Sequence, residues 1–390
     1  MRERLKEMMT KTVSQDSARV LVPTHVLDFM RGFAAVYVVV NHVRGNFFKG
    51  GGRTISEAVE PLGLYDYLSI SLLQFTALGT EFVILFFCVS GYAMAHSMLH
   101  TPSALEFYKR RLIRIWPPFL VAIALAAMVC ILYVTFDPDS NVSQRCADQL
   151  CTVGGLFLMA TYIEVATPIT AQFWSLPYEV IFYLLCPLLL WHRSAIPFVF
   201  AASVLLSLIG FIFWGLKSNP SSSVLVNFAI NAAFWFLSGV VAYHYIARVP
   251  ALSVRTFVIC AAGLLGVILA VKISYGAPNA VSNLLMILLS ILCIRNLPHS
   301  LTSNTRWNWG FFSYSIYIFH FAFIFLIKLI LDLQFNIRAE DIESYWAWVL
   351  FLPIILLGCW GMYFLGEKQC NQLLRRMTKR DRKLSTDGSA

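Results

Sequence analysis

Charge is scarce in this sequence. Asp, Glu, Lys and Arg make up 13% of its 390 residues, about half the share of an ordinary soluble domain, while 58% fall in the hydrophobic class. That balance excludes a chain kept in solution by a charged surface and leaves a polytopic membrane protein. Metal-type cysteine pairs are also missing. The nine cysteines are scattered, mostly within apolar runs, and no CxxC occurs. There is no HExxH, P-loop, nucleophile elbow or dinucleotide fingerprint in a plausible context, so no metal site or resident cofactor is expected. No internal repeat is visible, which weighs against a repeat-built transporter. The net charge of +9 does not point to nucleic acid, because the basic residues gather in short loops and tails between apolar runs.

What is present is a series of apolar runs near the length needed to cross about 30 Å of hydrocarbon. They fall near 27–47, 78–99, 117–136, 174–192, 195–216, 224–246, 253–274, 279–297, 310–331 and 346–366. The expected fold is therefore an all-α polytopic membrane protein, a bundle of about ten transmembrane helices. A further apolar stretch, 153–163, is too short to cross and reads as a re-entrant or interfacial segment. With both ends inside, the cytoplasmic segments carry 21 Lys and Arg against seven in the outer loops. Letting 153–163 cross reverses that bias, so the ten-span topology is preferred. Residues 1–26 read as a cytoplasmic tail, 27–366 as the membrane domain and 367–390 as a basic, solvated cytoplasmic tail. Cys146 and Cys151 share an outer loop, where a disulfide and two reduced thiols are nearly even alternatives.

Three stretches carry polar chemistry inside this apolar frame. In "LDFMRGFAAVYVVVNHVRG", Arg31 and His42 are eleven positions apart, which returns to within about 20° of one helix face and separates them by roughly 16 Å along the axis. Arg31 can simply snorkel beside Asp28, but intramembrane ionisable groups are functional by default. In "FYKRRLIRIWPP", Arg110, Arg111 and Arg114 precede a span opened by Pro117; they suit the phosphates of a cytosolic donor, or merely set topology. In "QFWSLPYEVIFYLL", Trp174 marks an interface and Glu179 follows just inside, from the same side as His42. A Glu179–His42 pair would orient the imidazole and raise its basicity. Two weaker elements are Ser90 and Gly91 in the second span, a small-residue packing signal, and Tyr314, Tyr317 and His320 at helical spacing in the ninth.

In this order, the Arg31/His42 spacing, "FYKRRLIRIWPP", "FWSLPYE" and "SYSIYIFH" resemble acyltransferase family 3, the integral-membrane acyltransferases that include O-antigen, exopolysaccharide and Nod-factor acetylases. The resemblance runs from about Leu27 to Tyr363. It implies acetyl-CoA, or another acyl-CoA, as donor co-substrate, and a hydroxyl of an extracytoplasmic glycan or glycolipid as acceptor. It also implies a bacterial cytoplasmic membrane with both termini inside. By motif matching His42 is the catalytic histidine and Arg31 its companion, Arg110, Arg111 and Arg114 line the coenzyme A entrance, and Trp174, Ser175 and Glu179 lie near the acceptor. Two departures stand out: "PTH" precedes Asp28 where many members have an arginine, and Phe29 replaces a frequent glycine.

On this reading His42 either deprotonates the acceptor hydroxyl for direct attack or is itself acylated, and the residues do not separate the two routes. Replacing Glu179 with Gln is expected to lower turnover more than donor binding. The competing class is a transporter or flippase in which Arg31 and His42 serve as substrate or proton-relay groups.

Overall fold

A computed structural model describes residues 22–48, 54–56, 58, 61–99, 101, 103–149, 167–214, 224–275, 280–303 and 308–387. Within them all regular structure is helical. The main elements are α1 (Thr24–Phe47), α2 (Leu64–Gln74), α3 (Gly79–Leu99), α4 (Ala104–Phe136), α5 (Asn141–Gln149) and α6 (Leu176–Trp191). They are followed by α7 (Ile196–Trp214), α8 (Val224–Arg248, with a π turn at Phe228–Ala232), α9 (Val254–Tyr275) and α10 (Ala280–Asn296). The chain ends with α11 (Ser313–Phe335), α12 (Trp348–Leu365) and α13 (Glu367–Asp387). Nine helical stretches among the described residues are long and apolar enough to cross a membrane; α10, with 17 residues, is a shorter apolar helix in the place of the tenth expected run. Helices are what such runs must form, since hydrocarbon offers nothing else to satisfy the backbone. Segment 153–163, most of the N-terminal tail and Cys151 lie outside the described residues.

Helix α1 sits at the centre, packed against α3, α11 and α12, while α3 also packs on α8 and α10. Helices α7, α9 and α12 expose large apolar side chains such as Phe198, Ile259 and Leu357, as helices facing lipid do. Two backbone crossings set the core. A Cβ at Gly91 of α3 would strike the Phe236 carbonyl of α8, and one at Gly239 of α8 would strike the Cys88 carbonyl. Ser90, buried beside Gly91, therefore lies at a close helix crossing. At the other crossing Gly32 of α1 meets the backbone of Trp309 and Gly310, and Gly310 meets the Asp28 carbonyl.

A buried ion pair ties the peripheral helices in. Lys272, in the last turn of α9, donates to both oxygens of Glu81 at 3.0 and 2.8 Å, and Ser282 of α10 adds a third hydrogen bond at 3.2 Å. Removing one partner strands a charge inside the bundle, a loss of about 3–5 kcal/mol. Glu81→Ala is thus expected to lower the thermal midpoint in detergent sharply, and Glu81→Met with Lys272→Met to recover most of it. A double variant no better than the single would contradict this role.

Three local features differ from the sequence reading. Helix α4 starts at Ala104, not Pro117, because Ser103 caps it by accepting from the Glu106 N–H at 3.2 Å. Pro117 and Pro118 lie inside it, and the Tyr314 hydroxyl donates to the nearby Ile115 carbonyl at 3.1 Å. Cys146 is disulfide-bonded to Cys130 within α4, fastening α5 to it; the loop pairing with Cys151 is replaced by a helix-to-helix one. The basic C-terminal segment is not wholly solvated. It forms α13, which docks on α4, and its Glu367 is buried, accepting from the Ser315 N–H and hydroxyl of α11 at 2.9 and 2.7 Å.

Candidate active site

Along α1, Arg31, Ala34, Ala35, Val38 and His42 stand at positions i, i+3, i+4, i+7 and i+11, the spacing of one helix face. The three between the ends line a narrow central cavity with Phe86, Ser175, Glu179, Tyr314 and Tyr317, so the Arg31/His42 face is an interior one. The cavity has about 20 Å³ of room, enough for a water. A slender substrate enters only by parting the side chains that line it.

At one end of this cavity stands a cluster of arginines. Arg31 is buried and pairs with Asp28 at 3.6 Å. The charges of Arg31, Arg111 and Arg114 all reach Glu179, which accepts a short hydrogen bond from the Tyr183 hydroxyl. Arg111 donates to the Ser97 hydroxyl at 2.6 Å and lies over the rings of Phe107 and Tyr183, while its Nε is buried without a hydrogen-bond partner. Arg114 is in electrostatic reach of Arg31, Glu179 and the buried Glu367. Arg110 behaves differently: it turns to Glu106 at 3.1 Å along the same helix. Two of the three loop arginines thus join Arg31 inside the bundle.

At the other end His42 meets His320. The rings stack with centroids 5.3 Å apart and planes inclined by 22°, and Phe321 closes on His42 edge-on at 4.7 Å. His320 is fully buried in α11. Its Nδ1 lies 3.1 Å from the Ile316 carbonyl, which can only accept, so Nδ1 carries the proton. That leaves Nε2 as a neutral acceptor, and it is buried without a partner. Such an orphan is costly in apolar surroundings, and a group retained at that cost points to a polar ligand.

Tyr317 connects the two ends. Its hydroxyl donates to the Gln172 carbonyl at 2.7 Å, so the Ser175 hydroxyl, 2.6 Å away, must donate to it. Trp174 stacks edge-on against Tyr178. Ser175 and Tyr314 line the cavity, whereas Ser90 does not.

The expected Glu179–His42 pair does not form. Glu179 belongs to the arginine end, with Tyr183 as its partner, and the neighbour of His42 is His320. Sequence reasoning also passed over Tyr183, Ser97 and Glu367. Tyr183 sits four residues after Glu179, a helical spacing that signals the contact in retrospect. Glu367 carries no such signal, since an acid followed by a lysine just beyond a span reads as tail.

A family described as an acyltransferase domain matches residues 24–364. An acyltransferase of Streptomyces mycarofaciens, MdmB, is 29% identical over 172 residues, covering 43% of this chain and 38% of that protein. The chain thus aligns with well under half of that relative's length. No solved structure matches.

Proposed function

The chain belongs to acyltransferase family 3, and from that premise we propose that this membrane acyltransferase moves an acyl group, most simply acetyl, from cytosolic acyl-CoA to a hydroxyl of a glycan or glycolipid across the bilayer. The membrane in question is a bacterial cytoplasmic one, with both termini inside. The observation that carries the reading is the stripe from Arg31 to His42, an arginine-rich end and an imidazole end with a narrow cavity lined by the residues between them.

The donor's phosphates bind at the arginine end, where guanidinium groups outnumber their buried counter-charges and Arg111 holds a spare donor. The pantetheine arm then occupies the cavity and brings the thioester to His42. The acceptor hydroxyl arrives from the opposite face. His42 takes its proton as the oxygen attacks the thioester carbonyl. The C–O bond forms, the C–S bond breaks, and the leaving thiolate recovers the proton from the imidazolium. No oxidant or further co-reactant is needed. His320 stands beside this step with its Nε2 as an acceptor for whichever hydroxyl or imidazolium proton lies within reach.

Free thiol release from acetyl-CoA by membranes containing the protein tests the proposal. Thiol is expected to appear in step with acylated acceptor. Arg114→Gln is expected to raise the donor KM by about 10- to 100-fold, the value of a charge-assisted contact of roughly 1.5–3 kcal/mol, with little change in kcat. A chain that releases no thiol while moving its substrate unchanged is a transporter, and the proposal then fails.

A further inference from the structure

A second cavity, of about 370 Å³, lies at the far end of the bundle from the arginines, between the C-terminal ends of α4 and α11, the start of α5 and the turn Ala339–Asp341. Arg114 and Asp137 are 23 positions apart on and just after α4, about 34 Å along its axis, which is a full bilayer. The disulfide between Cys130 and Cys146 braces α5, which forms one wall. Disulfides persist in oxidising compartments, so this face is the extracytoplasmic one.

The lining is polar and mixed in sign: Asp137, Asp139, Asn141, Lys328, Asp332 and Arg338. Lys328 also sits over the Phe325 ring at 5.2 Å, and Arg338 approaches Asp332 at 3.9 Å. Three carboxylates against two cations leave the site slightly negative, unsuited to a polyanion. Among the described residues no three acidic, His or Cys side chains converge as metal ligands do. Interleaved acceptors and donors in a cavity of this size match a neutral polyhydroxylated ligand, whose hydroxyls donate to the carboxylates and accept from Lys, Arg and Asn.

The cavity also stands in line with the histidines. Phe321 touches His42, Phe325 stacks on Phe321 at 6.2 Å, and Lys328 lies over Phe325. From His320 to Lys328 and Asp332 is about 12 to 18 Å along α11. The reacting hydroxyl therefore does not sit in this cavity; the sugar units behind it do. Resting on the acyl-transfer reading above, we propose that this outer cavity is a neutral-glycan subsite that holds the acceptor and sets its specificity.

The test places a removable obstacle in the cavity. Asn141→Cys and Val142→Cys proteins in right-side-out vesicles are treated with a negatively charged, membrane-impermeant methanethiosulfonate. The vesicles are then permeabilised and supplied with radiolabelled acetyl-CoA and their own acceptor. Each variant is compared with itself before treatment, and treated wild type controls for native thiols. Modification is expected to cut label in the acceptor by at least about tenfold, while equilibrium binding of labelled acetyl-CoA stays unchanged. Stoichiometric modification with full transfer overturns the subsite, as does failure of the reagent to reach either cysteine from outside. Loss of acetyl-CoA binding together with transfer overturns it too, since the effect is then general. Wild type that transfers no label removes the acyl-transfer reading itself, and the subsite with it.

Discussion

His42→Ala is expected to lose about 10³-fold or more in kcat while leaving the binding of acetyl-CoA within a factor of a few. General-base assistance contributes about 10²–10⁴-fold, and on the proposed reading it comes from the imidazole of His42, at the end of the stripe on α1. On that reading the donor's phosphates bind roughly 16 Å away at Arg31 and the α4 arginines, so the two functions separate along the helix. The histidine is half-buried and makes ring contacts only, so removing it leaves a small void and no stranded charge. Protein level and thermal midpoint are therefore expected to stay near wild type. Single-turnover rates and equilibrium binding on the same membranes measure both halves. A variant that loses donor binding in proportion to rate would place His42 in the donor site instead.

Gly239→Leu is expected to abolish accumulation of folded protein. The crossing of α3 and α8 brings the Cys88 carbonyl to where the first side-chain carbon would go, so strain enters through the backbone and not through a yielding side chain. Overpacking typically costs about 1–3 kcal/mol, and a backbone collision at a core crossing belongs at or beyond the top of that range. Gly263 of α9 is the control, because nothing stands within 4 Å of an added Cβ there. Gly263→Leu is expected to fold normally in the membrane. Size-exclusion profiles and thermal midpoints in mild detergent distinguish the two. Equal behaviour would mean that the glycine crossing does not set the fold.

The helices were legible because hydrocarbon leaves a run of apolar residues few alternatives, and all ten expected runs coincide with helices. The shared face of Arg31 and His42 was legible for the same geometric reason: eleven positions return to one side of an α-helix. Which helix faces which was not. Glu179 meets Tyr183 and the arginines, not the imidazole, while His320 takes the place beside His42. Neither outcome leaves a mark in a linear pattern. The ion pair of Glu81 with Lys272 joins residues 191 positions apart, and each reads alone as an interfacial charge. Likewise Cys130 looks like one more apolar residue of a span until α5 folds back on it.

The structure also moves a functional expectation. With Glu179 among guanidinium groups and away from the imidazole, its substitution by Gln removes a counter-charge from the arginine cluster, the donor end of the proposed reaction. The consequence is expected in the acetyl-CoA KM, and turnover at saturation is expected to change less.

The central claim is that an acyl group supplied at the arginine face reaches an acceptor at the opposite face by way of His42. Radiolabelled acetyl-CoA added outside sealed vesicles of the two orientations tests it most directly. Inside-out vesicles are expected to label their acceptor only when His42 is intact, and right-side-out vesicles to label it only after permeabilisation. Equal labelling of both sealed orientations, or labelling that survives His42→Ala at matched protein level, would contradict the account.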